Sequence, residues 1–403
     1  MRLRAILFVT LLAGCSAPAP ETPPAPRSSA AASAAPSTAA KAVAPDPSQG
    51  PLQLRFLGNV DFPPRTTTDG RAFGGISALA YLPSTGTLLA LSDAHEKTGP
   101  LRLYELDFDR EAFDVRMKHR FALRPGEGPM AFVPDRYDPE GIALSPLGEV
   151  VVTSEGDQRA EPREGPRFDA FRRTGHGFTL MKQLPLPPWV SPTAEGPLER
   201  GMRGNKGPEA LTAAPSFLFV GFEQALVQDG PVASPEAGTD VRILRYGRDL
   251  TLQGAHHYRT DPSPSGEQSS LGLTELAALD DDHLLALERG TYRDATGYHN
   301  RVRIYLIDVS TAANVLERPS LRDHEPVAKK LLLDLGAVAH RLFPTRALDN
   351  FEALALVTDD RGRVTHLVVA SDDNFSSHQR TSFILFAVEG TTAGVPLEGA
   401  GPE

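Results

Sequence analysis

The chain has 403 residues with 41 Lys+Arg against 51 Asp+Glu, a formal net charge of −10, which argues against the basic face that nucleic-acid binding needs. A single cysteine excludes both a disulfide framework and a cysteine-built zinc site. The 40% of hydrophobic residues suffice for a sizeable core, while 35 Gly and 36 Pro announce many turns.

Taken in chain order, the first segment is a targeting signal. Arg2 and Arg4 precede a short apolar run, and Leu12-Ala13-Gly14-Cys15 closes it. A charged start, a short apolar stretch and small residues before a cut site make a secretory signal, here over residues 1–15. Its end resembles the bacterial lipobox, in which the cysteine is lipidated. The resemblance implies that Cys15 carries lipid and that the exported protein is anchored on the periplasmic or outer-membrane face. Ser16 in place of Asp resembles the outer-membrane sorting pattern. Beyond residue 15 no run of 18 apolar residues occurs, so the lipid anchor is the expected membrane attachment. Residues 16–50 contain 12 Ala, 8 Pro and 6 Ser, with Val43 the only larger aliphatic side chain. Such a segment cannot bury enough surface to offset its chain entropy and reads as a disordered tether.

The folded region, residues 51–392, repeats itself, and residues 393–403 read as a disordered tail. Five segments align: Ile76-Ser77-Ala78-Leu79-Ala80, Pro139-Glu140-Gly141-Ile142-Ala143, Pro208-Glu209-Ala210-Leu211-Thr212, Thr274-Glu275-Leu276-Ala277-Ala278 and Phe351-Glu352-Ala353-Leu354-Ala355. Their second positions lie 63, 69, 66 and 77 residues apart. After each comes a turn and an apolar strand ending in an acid: Leu88–Asp93, Val150–Glu155, Phe217–Glu223, Leu284–Glu288 and Leu367–Asp372. A third strand follows in every repeat and a fourth in all but the last, with Gly, Pro, Asp or Asn between them. No long 3.6-residue apolar period occurs, so few helices are expected.

Repeated four-strand antiparallel sheets set radially make a β-propeller. Five blades are counted, and a sixth would require the irregular 185–204 insert to hold a degenerate one. The run Leu52–Leu57 has no partner before the first repeat. Placed as the missing fourth strand of the last blade, it closes the ring and removes an open edge. A β-helix is the competing architecture, but its repeats are shorter.

Several strings resemble the phytase-like family, described as "esterase-like activity of phytase". They are Asp138-Pro139-Glu140-Gly141-Ile142, Asn205-Lys206-Gly207-Pro208-Glu209-Ala210-Leu211, Leu285-Ala286-Leu287-Glu288-Arg289-Gly290, Asp349-Asn350-Phe351-Glu352-Ala353-Leu354 and Ser371-Asp372-Asp373-Asn374-Phe375-Ser376. The resemblance covers nearly all of 70–390. It implies a propeller and hydrolysis of phosphate or carboxyl esters.

The residues themselves point to the channel. Glu140, Glu209, Glu275 and Glu352 share one register of the first strand, with Ser77 in the fifth place, and the acids ending the second strands should face the same mouth. Converging carboxylates repel and raise one another's pKa values unless a cation neutralises them. Ca²⁺ suits such a site because it takes six to eight oxygens in flexible geometry. Glu140, Glu209, Glu352, Asp372 and Asp373 are the expected metal ligands, and Glu209, Glu288 and Asp372 the expected catalytic carboxylates. Lys206, Arg289 and Arg380 stand beside these motifs and are expected to hold an anionic ester substrate, since guanidinium pairs well with phosphate. The alternative is that the acids pin neighbouring blades through backbone N–H groups. No G-x-S-x-G elbow, H-E-x-x-H or P-loop pattern occurs. His256-His257 lies on an expected strand, where the rings face opposite sides and make a poor metal pair. Two functions follow, a metal-assisted ester hydrolase or a non-catalytic propeller lipoprotein that binds a ligand or a protein. In either case a monomer is expected.

Overall fold

The computed structural model describes residues 50–93, 101–175, 177–343, 347–392, 395 and 397. The signal, nearly all of the tether, Cys15 and most of the tail lie outside the described residues. The described chain is all-β, with a single α-helix, Leu335–Leu342, capped where Asp334 accepts from Gly336 N.

Five four-stranded antiparallel meanders carry the fold. The first runs Ile76–Leu82, Thr87–Ser92, Arg102–Asp109 and Asp114–Arg124; the second Pro139–Leu144, Val150–Ser154, Arg167–Thr174 and Gly177–Gln183. The third runs Ala210–Ala213, Phe217–Gly221, Asp240–Gly247 and Leu252–Arg259; the fourth Glu267–Ala278, His283–Asp294, Gly297–Asp308 and Lys329–Asp334. The fifth takes Asn350–Thr358, Val364–Asp372 and Thr381–Glu389 from the C-terminal side and Gln53–Phe62 from the N-terminal side. Gln53–Phe62 pairs antiparallel with Thr381–Glu389, broken only by a bulge between Phe56 and Gly58. The first and second meanders join through their outer strands: Ala122, Leu123 and Arg124 pair parallel with Gly177, Phe178 and Thr179, giving one eight-stranded sheet.

Strand alternation explains how the sheets pack. Residues of one parity on each second strand face the preceding meander and those of the other parity face the next. In the second meander Val150 and Val152 enter the core shared with the first, and Val151 enters the core shared with the third. Five apolar layers result, one between each pair of neighbours, the last joining Leu88 and Leu106 to Val368 and Leu385 of the fifth meander. The first strands pack side by side in the same order, the fifth beside the first. This radial stacking is that of a β-propeller.

The 185–204 insert contains no strand. It buries Val190 and Met202 in the core between the second and third meanders. Trp189 lies under the Arg242 guanidinium, 4.4 Å from its ring, so it acts as a staple. Asp280-Asp281-Asp282 connects the first two strands of the fourth meander, with Asp280 accepting from Asp282 N and His283 N.

Candidate functional site

The first strands begin, and the second strands end, around a cavity of about 720 Å³. The same backbone contact recurs: Asp93 N donates to Gly75 O, Glu155 N to Asp138 O and Glu223 N to Gly207 O. Beyond these contacts the side chains reach the cavity. Its acids are Asp93, Asp138, Glu140, Glu209, Glu352 and Asp372, with Asp349 at the edge, and its basic groups are Lys206, Arg289 and Arg380. Glu155 and Glu223 stand just behind, 2% and 0% exposed.

Bulges aim several of these groups. Register breaks occur between Ile76 and Ala78, Pro139 and Ile142, and Phe351 and Ala353. Ser77, Glu140 and Glu352 are the residues displaced there, and a bulge of this kind re-aims a side chain. Gly141 is required beside Glu140, because a Cβ there would sit 2.5 Å from Glu209 O and 2.6 Å from Thr153 Oγ1. The close approach brings the strands carrying Glu140 and Glu209 together.

The fourth meander departs from the expected register. Its bulge falls between Leu273 and Glu275, so Thr274 occupies the place of Glu140 and Glu352. Glu275 is turned into the wall, where its Oε1 accepts from Leu211 N and Leu276 N, both at 2.9 Å. It is a strand staple, and Ser77 Oγ, donating to Pro139 O, is another. On the second strand Glu288 pairs with Leu273, as Ser92 pairs with Ile76, Ser154 with Pro139 and Ser371 with Phe351. The residue matching Asp93, Glu155 and Asp372 is therefore Arg289. Glu288 does not line the cavity and is corrected from the catalytic set. Its carboxylate faces the third meander, accepting from Tyr258 OH, Lys329 Nζ and Asp261 N.

Arg289 brings positive charge to the cavity from the side where the acids are missing. Its Nη2 lies 3.0 Å from Glu352 Oε2. Burial works against its charge, but Glu352, Glu209, Glu223 and Asp372 outweigh that and hold its pKa above the ordinary value. Lys206 Nζ lies 2.8 and 2.9 Å from the two oxygens of Glu223. Arg380 lines the rim, in the loop that follows the Asp372-Asp373-Asn374 string.

That string divides its labour. Asp372 faces the cavity, with Oδ1 accepting from Asn374 N. Asp373, expected as a metal ligand, does not line the cavity and is corrected. Its Oδ1 accepts from Gly75 N at 2.8 Å and Phe375 N at 3.1 Å, tying the last meander to the first. Gly74, at φ 150°, admits this contact, since a Cβ would lie 2.4 Å from Asp373 Oδ1. The turn holds Asn374 and Phe375 at φ 46° and 48°, in the left-handed region.

Electrostatically the cavity is overloaded with acid. Burial, then repulsion from Glu352 and Asp138, pushes Asp93 up to about 8. Burial and Glu223 push Glu155 up to about 8, and burial pushes Glu352 to about 8 despite Arg289. Burial likewise holds Glu140, Glu209 and Asp372 well above the carboxylate range. Two sets of oxygens converge closely enough to share a cation: Asp138, Glu140 and Glu155, and Glu155, Glu209 and Glu223, with one oxygen per residue mutually within 4.8 Å. Glu155 Oε2 and Asp93 Oδ1 are buried without a hydrogen-bond partner, which fits donor atoms awaiting a ligand. Of the five expected ligands, Glu140 and Glu209 enter these sets, while Glu352 and Asp372 line the same cavity around Arg289. Asp138, Glu155 and Glu223 complete the sets. Asp138 was legible in the Asp-Pro-Glu-Gly string, and Glu155 and Glu223 as strand-ending acids. Thr291, Tyr298, His299 and Asn300 also line the cavity, from the long hairpin of the fourth meander, and no sequence signal marked them.

A family model described as "Phytase-like: Esterase-like activity of phytase" matches residues 71–375. The chain belongs to the phytase-like family. The match takes in cavity-lining residues of all five meanders and ends before Ser376 and Arg380. No curated protein matches the sequence significantly. Among solved structures, the endo-arabinase of Bacteroides thetaiotaomicron VPI-5482 is 11% identical, with 83% of this chain and 99% of that chain covered at a TM-score of 0.43. The GH93 alpha-L-arabinofuranosidase of Fusarium graminearum, solved with arabinobiose, is 12% identical, with 82% and 97% covered at a TM-score of 0.39.

Proposed function

We propose that this phytase-like protein is a metal-assisted hydrolase of phosphate or other anionic esters, working in the channel mouth of a five-bladed propeller that Gln53–Phe62 closes. The observation that carries the reading is the split cavity: clustered carboxylate oxygens on the second and third meanders, and Arg289 on the fourth with Arg380 on the rim. Oxygen-only donors in irregular geometry suit Ca²⁺, held by Asp138, Glu140, Glu155, Glu209 and Glu223. When bound, such an ion polarises the ester and lowers the pKa of water.

The chain's own groups do the rest. Arg289 and Arg380 take the anionic group of the substrate through charge-assisted hydrogen bonds. Lys206 orients Glu223 at the inner wall. Burial, then repulsion from Asp93, raises the pKa of Asp372 and favours its protonated form. Its Oδ1 is occupied by Asn374 N, so Oδ2 carries the proton toward a leaving oxygen as general acid. Glu209, from the expected catalytic set, serves here as a cation ligand. The protein acts as an exported monomer, anchored through Cys15 and carried on the 16–50 tether.

The test is hydrolysis of phytate and nitrophenyl esters by the purified protein, with Ca²⁺ or with chelator. Calcium-dependent turnover that Asp372→Asn abolishes is the expected result. Calcium-dependent thermal stabilisation without turnover of any ester would replace the hydrolase with a ligand-binding propeller.

A further inference from the structure

We propose that the cavity takes two divalent cations side by side, with Glu155 as the ligand they share and Lys206 as the built-in competitor for the second. The inference rests on the metal reading above and adds number, place and rivalry to it.

Glu155 is the common member of both oxygen sets. Its carboxylate is 2% exposed. One oxygen, Oε1, is fixed by Gly207 N across the junction of the second and third meanders. The other, Oε2, is buried with no partner. A carboxylate pinned by one oxygen and unsatisfied at the other is costly unless something electropositive arrives. Its position between Glu140 on one side and Glu209 with Glu223 on the other sets that arrival point between two sites.

The sets differ in what already neutralises them. Glu140 makes no hydrogen bond or ion pair among the described residues, and no basic group is among the main causes of its raised pKa. The other set has Lys206 Nζ against both oxygens of Glu223. Lys206 is thus an ammonium already bound within the second set. Carboxylate oxygens without nitrogen or sulfur select hard cations of the Ca²⁺ class. The first site, beside Glu140, is therefore the tighter. The second is weaker because an incoming ion must share Glu223 with Lys206 or displace it. A displaced Lys206 then points its ammonium at the cavity it already lines.

The experiment is calcium binding by equilibrium dialysis and native mass spectrometry on the purified full chain, with a thermal melt of each variant as a folding check. The wild type should bind two ions with separated affinities. Glu223→Gln should lose the weaker ion only. Lys206→Met should tighten the weaker site by about tenfold or more, since a neighbouring charge shifts even a proton's affinity by about 1–3 units, and should leave the tighter site unmoved. Glu155→Gln should lose both. A single ion in the wild type and in Lys206→Met overturns the pair while leaving the metal reading intact. No ion at all overturns both. Two ions in folded Glu155→Gln overturn the sharing, and an unchanged weaker site in Lys206→Met overturns the competition.

Discussion

Replacing Arg289 by Met tests the charge balance of the cavity most directly. The substitution removes a buried cation that pairs with Glu352 and holds down its repulsion with Asp372 and Glu223. Breaking a buried pair from one side typically costs about 3–5 kcal/mol, because the remaining charge is left uncompensated. For a folded region of this size the unfolding entropy is roughly 0.7 kcal/mol/K, so the melting temperature should fall by about 4–7 °C. The loss should depend on pH. Glu352 already has its pKa raised to about 8 by burial, and without Arg289 it rises further. An acid whose folded pKa is raised loses stability as pH climbs from its unfolded value through its folded one. The variant should therefore sit close to wild type at pH 6, where Glu352 carries a proton in both, and far below it at pH 9. Thermal melts in chelator at the two pH values measure this. Arg289→Met with Glu352→Gln should recover most of the loss at pH 9. An equal loss at both pH values, unrelieved by Glu352→Gln, would show that Arg289 is there for packing and refute the charge argument.

Deleting residues 51–62 should bare the edge of Thr381–Glu389 and replace a cooperative melt with aggregation, read by light scattering during heating, because an unpaired strand edge recruits other chains. Cys15→Ser should move the protein from the membrane fraction of its host to the soluble fraction, read by immunoblot of the two; an unchanged distribution would end the lipid-anchor proposal.

The meanders were legible because two independent signals coincide in each repeat, apolar alternation along the strands and turn residues between them. The expected strands Val150–Glu155 and Leu367–Asp372 are matched by Val150–Ser154 and Val364–Asp372. The cavity was only partly legible. Matching strings by letter placed Glu275 with Glu352 and Glu288 with Asp372, and each match is wrong by one position. A one-residue slip in a strand exchanges faces, so both acids went into walls, while Thr274 took the bulge and Arg289 the cavity place. The bulge that decides the register is a tertiary feature with no letter of its own. Asp373 was misjudged for a related reason: a carboxylate in a tight turn is suited equally to an ion and to backbone N–H groups, and the approach of Gly74 and Gly75 selects the latter.

The parallel pairing of Ala122–Arg124 with Gly177–Thr179 has a mechanical consequence. Blades in a ring usually meet through side chains alone, and such junctions slide or widen when the ring breathes. Here the outer rims of the first two are riveted by main-chain hydrogen bonds, so their angle is fixed at the periphery as well as at the axis. Asp138, Glu140 and Glu155 belong to the second of that riveted pair. Arg289 and Arg380 belong to the fourth and fifth meanders, whose outer strands have no such pairing among the described residues. Among the described residues, a main-chain tie at the rim therefore backs the wall that carries Asp138, Glu140 and Glu155, and none backs the wall that carries the two arginines.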